Sequence, residues 1–163
     1  DPADPVELSA SHDAGTHGPE DPGDNNFCCY AIEVKVDPET GSIQLVDAVL
    51  AADVGTIINP VAHRGQLEGG FGFGVGAALM EEVQVEDGVV VGQSMAEFKL
   101  PAMRDVPSLR QVLLPTTVGP GAFGAKMAGE LSNSPAAPAI ANAVADAVGA
   151  RVTSLPQIGR AHV

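Results

Sequence analysis

Few side chains in this chain are equipped for chemistry, and the most informative of them is Glu130. It closes the run Gly119-Pro-Gly-Ala-Phe-Gly-Ala-Lys-Met-Ala-Gly-Glu130, four residues before Ser134, which is placed to cap a helix. A Gly-rich loop that delivers a carboxylate near a helix N-terminus sets two influences against each other. The positive end of the helix dipole favours the ionised form, and burial disfavours it. A carboxylate poised between them can accept a proton at neutral pH, which is the task of a general base. A solvated loop glutamate is the alternative that the same residues allow.

The other reactive residue types carry less. Gly72-Phe-Gly-Val-Gly-Ala77 has the spacing of a dinucleotide fingerprint, but no strand precedes it, and that motif works only at a strand-to-helix turn. His12, His17 and His63 fit no zinc-ligand spacing and read as surface histidines. Ser132 and Ser134 lack a nucleophile elbow. Cys28 and Cys29 are adjacent, so a mutual disulfide would be strained and no second pair exists to build a framework. They are expected to be small buried side chains in a reduced, cytoplasmic setting. No metal-ligand cluster is expected.

The elements that must position these residues can be read from periodicity. Ile32 to Val36 alternates apolar and polar, Asp37-Pro-Glu-Thr-Gly41 is turn chemistry, and Ile43 to Ala52 returns, which together predict a β-hairpin. A second hairpin is expected where Val83-Gln-Val85 and Val89-Val-Val91 flank Asp87-Gly88, a dipeptide that accepts the positive φ of a type I′ turn. Residues 111–114 suggest a further strand. Between the hairpins, residues 59–82 predict a helix with two stripes: Leu67, Phe71, Val75 and Leu79 on one, Gly65, Gly69, Gly72 and Gly76 on another. Each helical Gly costs about 1 kcal/mol relative to Ala, so the bare stripe implies the close approach of another backbone or a flat ligand. A last helix should have Ser134 as cap, Pro135 at its first position, Ile140, Val144 and Val148 on one face, and Gly149 at its end. The fold class expected is α+β: β-hairpins packed with a Gly-rich helix and a C-terminal Ala-rich helix.

The 163 residues hold 8 Lys+Arg against 21 Asp+Glu, a net charge of −13. So few cations cannot assemble a patch for phosphate backbones or anionic lipid, which argues against nucleic-acid and membrane-surface roles. No apolar run reaches the length of a membrane span. Seven of the carboxylates, and no Lys or Arg, fall in residues 1–26, which read as an acidic loop or linker unable to offset its ordering entropy. Residues 27–157 form the folded part. Residues 158–163 match neither the preceding pattern nor a plausible ending and read as a non-native, adapter-derived tail.

Several ordered motifs resemble one family. Asp53-Val-Gly-Thr-Ile-Ile-Asn-Pro60, Gly65-Gln-Leu-Glu-Gly-Gly-Phe71, Gly74-Val-Gly-Ala-Ala-Leu79, Lys99-Leu-Pro101, Asp105-Val-Pro107 and Gly124-Ala-Lys-Met-Ala-Gly-Glu130 follow each other as in the C-terminal part of the molybdopterin-binding large subunit of the xanthine dehydrogenase, aldehyde oxidoreductase and aerobic carbon monoxide dehydrogenase family. The resemblance implies a fragment of a molybdenum hydroxylase, which hydroxylates an aldehyde, N-heterocycle or similar small substrate oxidatively with water as the oxygen source. It implies molybdopterin with Mo, often as the cytosine dinucleotide in bacteria, held through its dithiolene and not by protein side chains. It also implies 2Fe-2S clusters and FAD on other domains or subunits, and the remainder of the large subunit as partner. By position, Glu130 matches the general base, Gln66 matches a cofactor contact, and Lys126, Met127, Ala128 and Gly129 match the backbone that lines the cofactor. Met127 and Ala128 stand where Gly and then Val are common in the family, and Phe73 stands where some members have a second Gln. A fragment of this kind is expected to be inactive alone. The reading from a different class is a non-catalytic acidic α+β interaction module whose Gly-rich helix serves packing.

Overall fold

A computed structural model describes residues 25–92, 94–114 and 116–157. The expected tail, and the acidic leader apart from Asn25 and Asn26, lie outside the described residues. The architecture is α+β, as the periodicity predicts. Strands β1 (Phe27–Val36) and β2 (Ile43–Asp53) pair antiparallel, and β5 (Leu109–Leu114) adds to β2 in parallel, giving the order β1-β2-β5. The short hairpin β3 (Val85–Glu86) and β4 (Val89–Val90) forms a separate ribbon. Helix α1 (Pro60–Leu79) lies between β2 and β3, α2 (Met95–Phe98) is a single turn, and α3 (Ala136–Val148) closes the order. The parallel placement of β5 is not readable from periodicity, because it depends on the long connection through α1.

Local chemistry accounts for the two turns. The Asp37 carboxylate accepts from the backbone N–H of Glu39 and the hydroxyl of Thr40, at 2.9 and 2.8 Å, and so closes the β1–β2 turn. Asp87 and Gly88 have φ of 49° and 81°, the positive pair expected of a two-residue hairpin turn.

A bulge sets which residues of β2 reach the core. Val34 pairs with Leu45 and Glu33 with Asp47, which leaves Val46 extra. The buried set is therefore Leu45, then Ala48, Leu50 and Ala52, a shift of phase that simple alternation would miss. These side chains meet Leu67, Phe71, Val75 and Ala78 of α1 and Ala136, Ile140 and Val144 of α3 in one core. Tyr30 on β1 lies against Phe71 with ring centroids 5.4 Å apart.

Three expectations change. The glycines that allow close approach are Gly70 and Gly74: a Cβ on them would lie 2.2 Å from Ser132 Oγ and 2.4 Å from Ala136 Cβ, respectively. At Gly65, Gly69 and Gly72 a Cβ would meet nothing within 4 Å. The reason is rotational, since Gly70 and Gly74 lie beside the Leu67–Phe71–Val75 stripe and so share its buried face, whereas Gly65, Gly69 and Gly72 point away; Gly76, the fourth of the expected stripe, is buried against the Glu81 side chain. Second, α3 starts at Ala136 with Pro135 at the cap position, and Ser134 makes no capping bond to it. The Ser134 hydroxyl instead turns back to the Glu130 carbonyl, at 3.3 Å. Third, Cys29 is exposed, because neighbours on a strand face opposite sides; only Cys28 is partly buried, and both thiols are free. Gly149, at φ 74°, terminates α3 as expected.

Candidate functional site

Glu130 belongs to a segment held at almost every backbone position. The segment begins beside the end of β2, where Gly55 has φ 65° and a Cβ would fall 2.4 Å from the Gly124 carbonyl oxygen, so only glycine fits. Across this contact the Thr56 N–H donates to the Gly124 carbonyl at 3.1 Å and the Lys126 N–H donates to the Val54 carbonyl at 3.0 Å. The Asn26 amide donates to the Met127 carbonyl at 2.8 Å, and the Gln66 amide donates to the Gly129 carbonyl at 3.0 Å. The Glu130 carbonyl accepts from the N–H groups of Asn133 and Ser134, in a turn that leads into α3. The Cys28 thiol donates to the Leu131 carbonyl at 3.3 Å, and the Tyr30 hydroxyl donates to the Ser132 carbonyl at 2.8 Å. Burial, reinforced by Cys28, pushes the Tyr30 phenol above its ordinary pKa and keeps it a neutral donor. Met127, Gly129 and Glu130 are nevertheless exposed. The loop is fixed through its carbonyls while its functional edge stays open.

Lys126 differs from its neighbours, because its side chain points inward. Its ammonium lies 2.9 Å from Asp53 Oδ2, with the two side chains only 5% and 13% exposed, and donates also to the Asn25 carbonyl at 2.9 Å. It sits 5.9 Å from the centre of the Phe27 ring. Asp53 in turn accepts from Thr116 Oγ1 at 2.6 Å and from the Gly55 N–H at 3.1 Å. These bonds hold the Asp53 carboxyl down at a pKa of about 2, with Thr116 the largest cause and Lys126 the next. A folded-state pKa below the usual value of roughly 3.9 adds stability that is complete above that value and is lost as pH falls toward the folded one. Asp53→Asn is therefore expected to flatten the acid-unfolding curve between about pH 4 and pH 2, read by circular dichroism. An unchanged curve would mean that Asp53 does not couple to folding.

The structure brings Gln66, Lys126, Met127, Ala128, Gly129 and Glu130 together at one edge, where α1 meets the loop. His63 is half-buried and not a surface histidine: neither ring nitrogen has a hydrogen-bond partner, and burial lowers its pKa. Gly72 to Ala77 lies inside α1, so no strand-to-helix turn exists there to cradle a dinucleotide. A cavity of about 690 Å³ lies between α1 and residues 100–109, lined by Arg64, Glu68, Gly72 and Pro101 among others; neither Gln66 nor Glu130 lines it. The sequence assigned Asp53, Thr116, Asn26, Cys28 and Tyr30 no part in holding this loop. Only Cys28 and Tyr30 left a signal, as polar-tipped residues two apart on the inward face of a strand.

Among the described residues no three His, Cys, Asp or Glu side chains converge on a point that could hold a metal ion. What the edge offers is one side-chain amide, backbone groups with an unobstructed glycine, and a carboxylate. This donor set fits the polar rim of the pterin cofactor that the resemblance implies, which would hold its metal itself. It marks an α+β domain with an exposed carboxylate at the open edge of a held loop.

Residues 4–107 match the family model described as molybdopterin cofactor-binding domain, and the chain belongs to that family. The xanthine dehydrogenase molybdenum-binding subunit of Escherichia coli O157:H7 is 34% identical over 132 residues, which is 80% of this chain and 18% of that protein. The aldehyde oxidoreductase molybdenum-binding subunit PaoC of Escherichia coli K12 is 36% identical over 135 residues, 81% of this chain and 18% of that protein. Quinoline 2-oxidoreductase from Pseudomonas putida 86 superposes with a TM-score of 0.76 at 30% identity, covering 81% of this chain and 17% of that one. The chain thus spans less than a fifth of the length of these relatives. Its β1, β2 and α1 lie within the family match, and all three hold the 124–132 segment.

Proposed function

We propose that this chain is part of a molybdenum hydroxylase large subunit, in which Glu130 is the general base and Gln66, with the backbone of Lys126, Met127, Ala128 and Gly129, contacts the molybdopterin. The observation that supports this most is the carbonyl-pinned loop, which presents an exposed carboxylate directly after the glycine that Gln66 binds. Gln66 spends one amide hydrogen on the Gly129 carbonyl, which orients the rest of its amide toward the same edge. When bound, the cofactor would supply the two-electron oxidation and the water-derived oxygen. Glu130 would hold the proton removed from that oxygen at its carboxylate, and the pinned loop would spare it reorganisation during the reaction. The substrate class is an aldehyde, an N-heterocycle or a similarly small molecule, and the setting is a reducing cytoplasm. The cofactor is molybdopterin with Mo, either as such or as the cytosine dinucleotide. Electrons would leave through 2Fe-2S clusters and FAD on other domains or subunits.

Replacing Gln66 with Leu in the intact subunit tests the cofactor contact. A single hydrogen bond is worth about 1 kcal/mol, so the rate at which molybdenum is lost from the subunit on dialysis should rise roughly fivefold. A loss rate equal to that of the parent would remove Gln66 from the cofactor site.

A further inference from the structure

The buried ion pair at the end of β2 has no part in the chemistry just proposed, yet it joins the two ends of the loop system. Asp53 is the last residue of β2, Thr116 follows the last residues of β5, and Lys126 opens the segment that ends in Glu130. The Asp53 carboxylate uses one oxygen for Thr116 and the Gly55 N–H, and the other for Lys126. It therefore ties the exit of β5 and the start of the Glu130 segment to a single point on the sheet. Lys126 passes the constraint on to Asn25, whose neighbour Asn26 holds Met127. Without this point, the segment from Lys126 to Gly129 would be held only by the Lys126 N–H on the Val54 carbonyl, by the half-buried Asn26 and by the exposed Gln66.

We infer that Asp53 is a positioning residue, which through Lys126 and Thr116 sets where the 126–130 segment, and so Glu130, lies relative to Gln66. This rests on the reading of Glu130 as base. A misplaced base impairs the chemical step more than substrate binding, so the expected signature is a fall in kcat with KM preserved.

The test uses the intact subunit with its cofactor and compares Asp53→Asn with Asp53→Glu and Thr116→Val. In Asp53→Asn, the acceleration of backbone amide exchange over the parent should be about tenfold greater at residues 125–131 than in α3 and the β1–β2 hairpin. In the same variant kcat should fall on the order of tenfold and KM should stay within about twofold, since a displacement of about 1 Å costs up to 10² in rate. Asp53→Glu should recover part of both losses. Thr116→Val leaves no stranded charge and decides the matter if Asp53→Asn does not fold; it should show the same local loosening, about threefold. Unchanged exchange in the loop, or equal acceleration throughout the domain, would overturn the inference, as would a rise in KM at constant kcat. If Glu130→Gln proves fully active while Asp53→Asn still loosens residues 125–131 selectively, the anchoring stands and the base assignment falls.

Discussion

Glu130→Gln in the intact molybdenum-binding subunit should lower kcat by about 10²- to 10⁴-fold, the usual worth of a positioned general base. Molybdenum content and KM should remain close to those of the parent. The backbone explains why the loss should be confined to chemistry. The carbonyls on either side, of Gly129 and Leu131, are bound by Gln66 and Cys28, and the carbonyl of Glu130 itself is bound within the turn that leads into α3. None of these bonds uses the carboxylate, so exchanging one oxygen for an amide nitrogen leaves the loop intact. Gln cannot take the proton, and the shape of the site is preserved. Steady-state kinetics with metal analysis on the same preparation reads both quantities, and activity equal to that of the parent would exclude Glu130 from the reaction.

Gly74→Ala should have the next largest effect, and its sign depends on where on α1 the methyl is placed. At Gly74 the new Cβ would lie 2.4 Å from Ala136 Cβ and 3.0 Å from the Asn133 carbonyl oxygen. Ala136 opens α3 and Asn133 donates to the Glu130 carbonyl, so α1 or the turn behind Glu130 must shift. Overpacking of this kind costs about 1–3 kcal/mol. Gly65→Ala meets nothing within 4 Å and replaces the poorest helix former short of proline with the best, a gain of about 1 kcal/mol. Thermal or denaturant unfolding of the two variants should therefore move in opposite directions. Destabilisation of both by similar amounts would contradict the packing of α3 on α1.

The contrast between these glycines shows what periodicity can and cannot supply. The apolar stripe of α1 was legible because Leu67, Phe71 and Val75 recur at the helical repeat, and all three are fully buried. The glycine stripe was equally regular in sequence, but regularity says only that residues share a face, not which face has a neighbour. The neighbour of Gly70 and Gly74 is the start of α3, some sixty residues further along the chain, and no local pattern encodes that distance. The same holds for Ser134. Its residue type and the following proline suggest a cap, yet the turn formed by Glu130, Asn133 and Ser134 draws its hydroxyl back to the Glu130 carbonyl.

Sequence alone determined the elements with strong local codes. These are the β1–β2 hairpin with its Asp37 turn, the Asp87-Gly88 hairpin, the two long helices and the glycine that ends α3, because each is decided by residues within one or two turns of each other. Ordered motifs in the chain also sufficed to suggest the family, and the resemblance implied by them groups Gln66 with the residues around Glu130. Only the tertiary structure decided how that group is held. The parallel pairing of β5 with β2, the bulge at Val46, the inward turn of Lys126 onto Asp53 and the reach of Cys28 and Tyr30 to the carbonyls after Glu130 all join residues far apart in the chain. Such contacts are settled by which faces become buried together, and that is a property of the packed sheet and helices, not of any one segment.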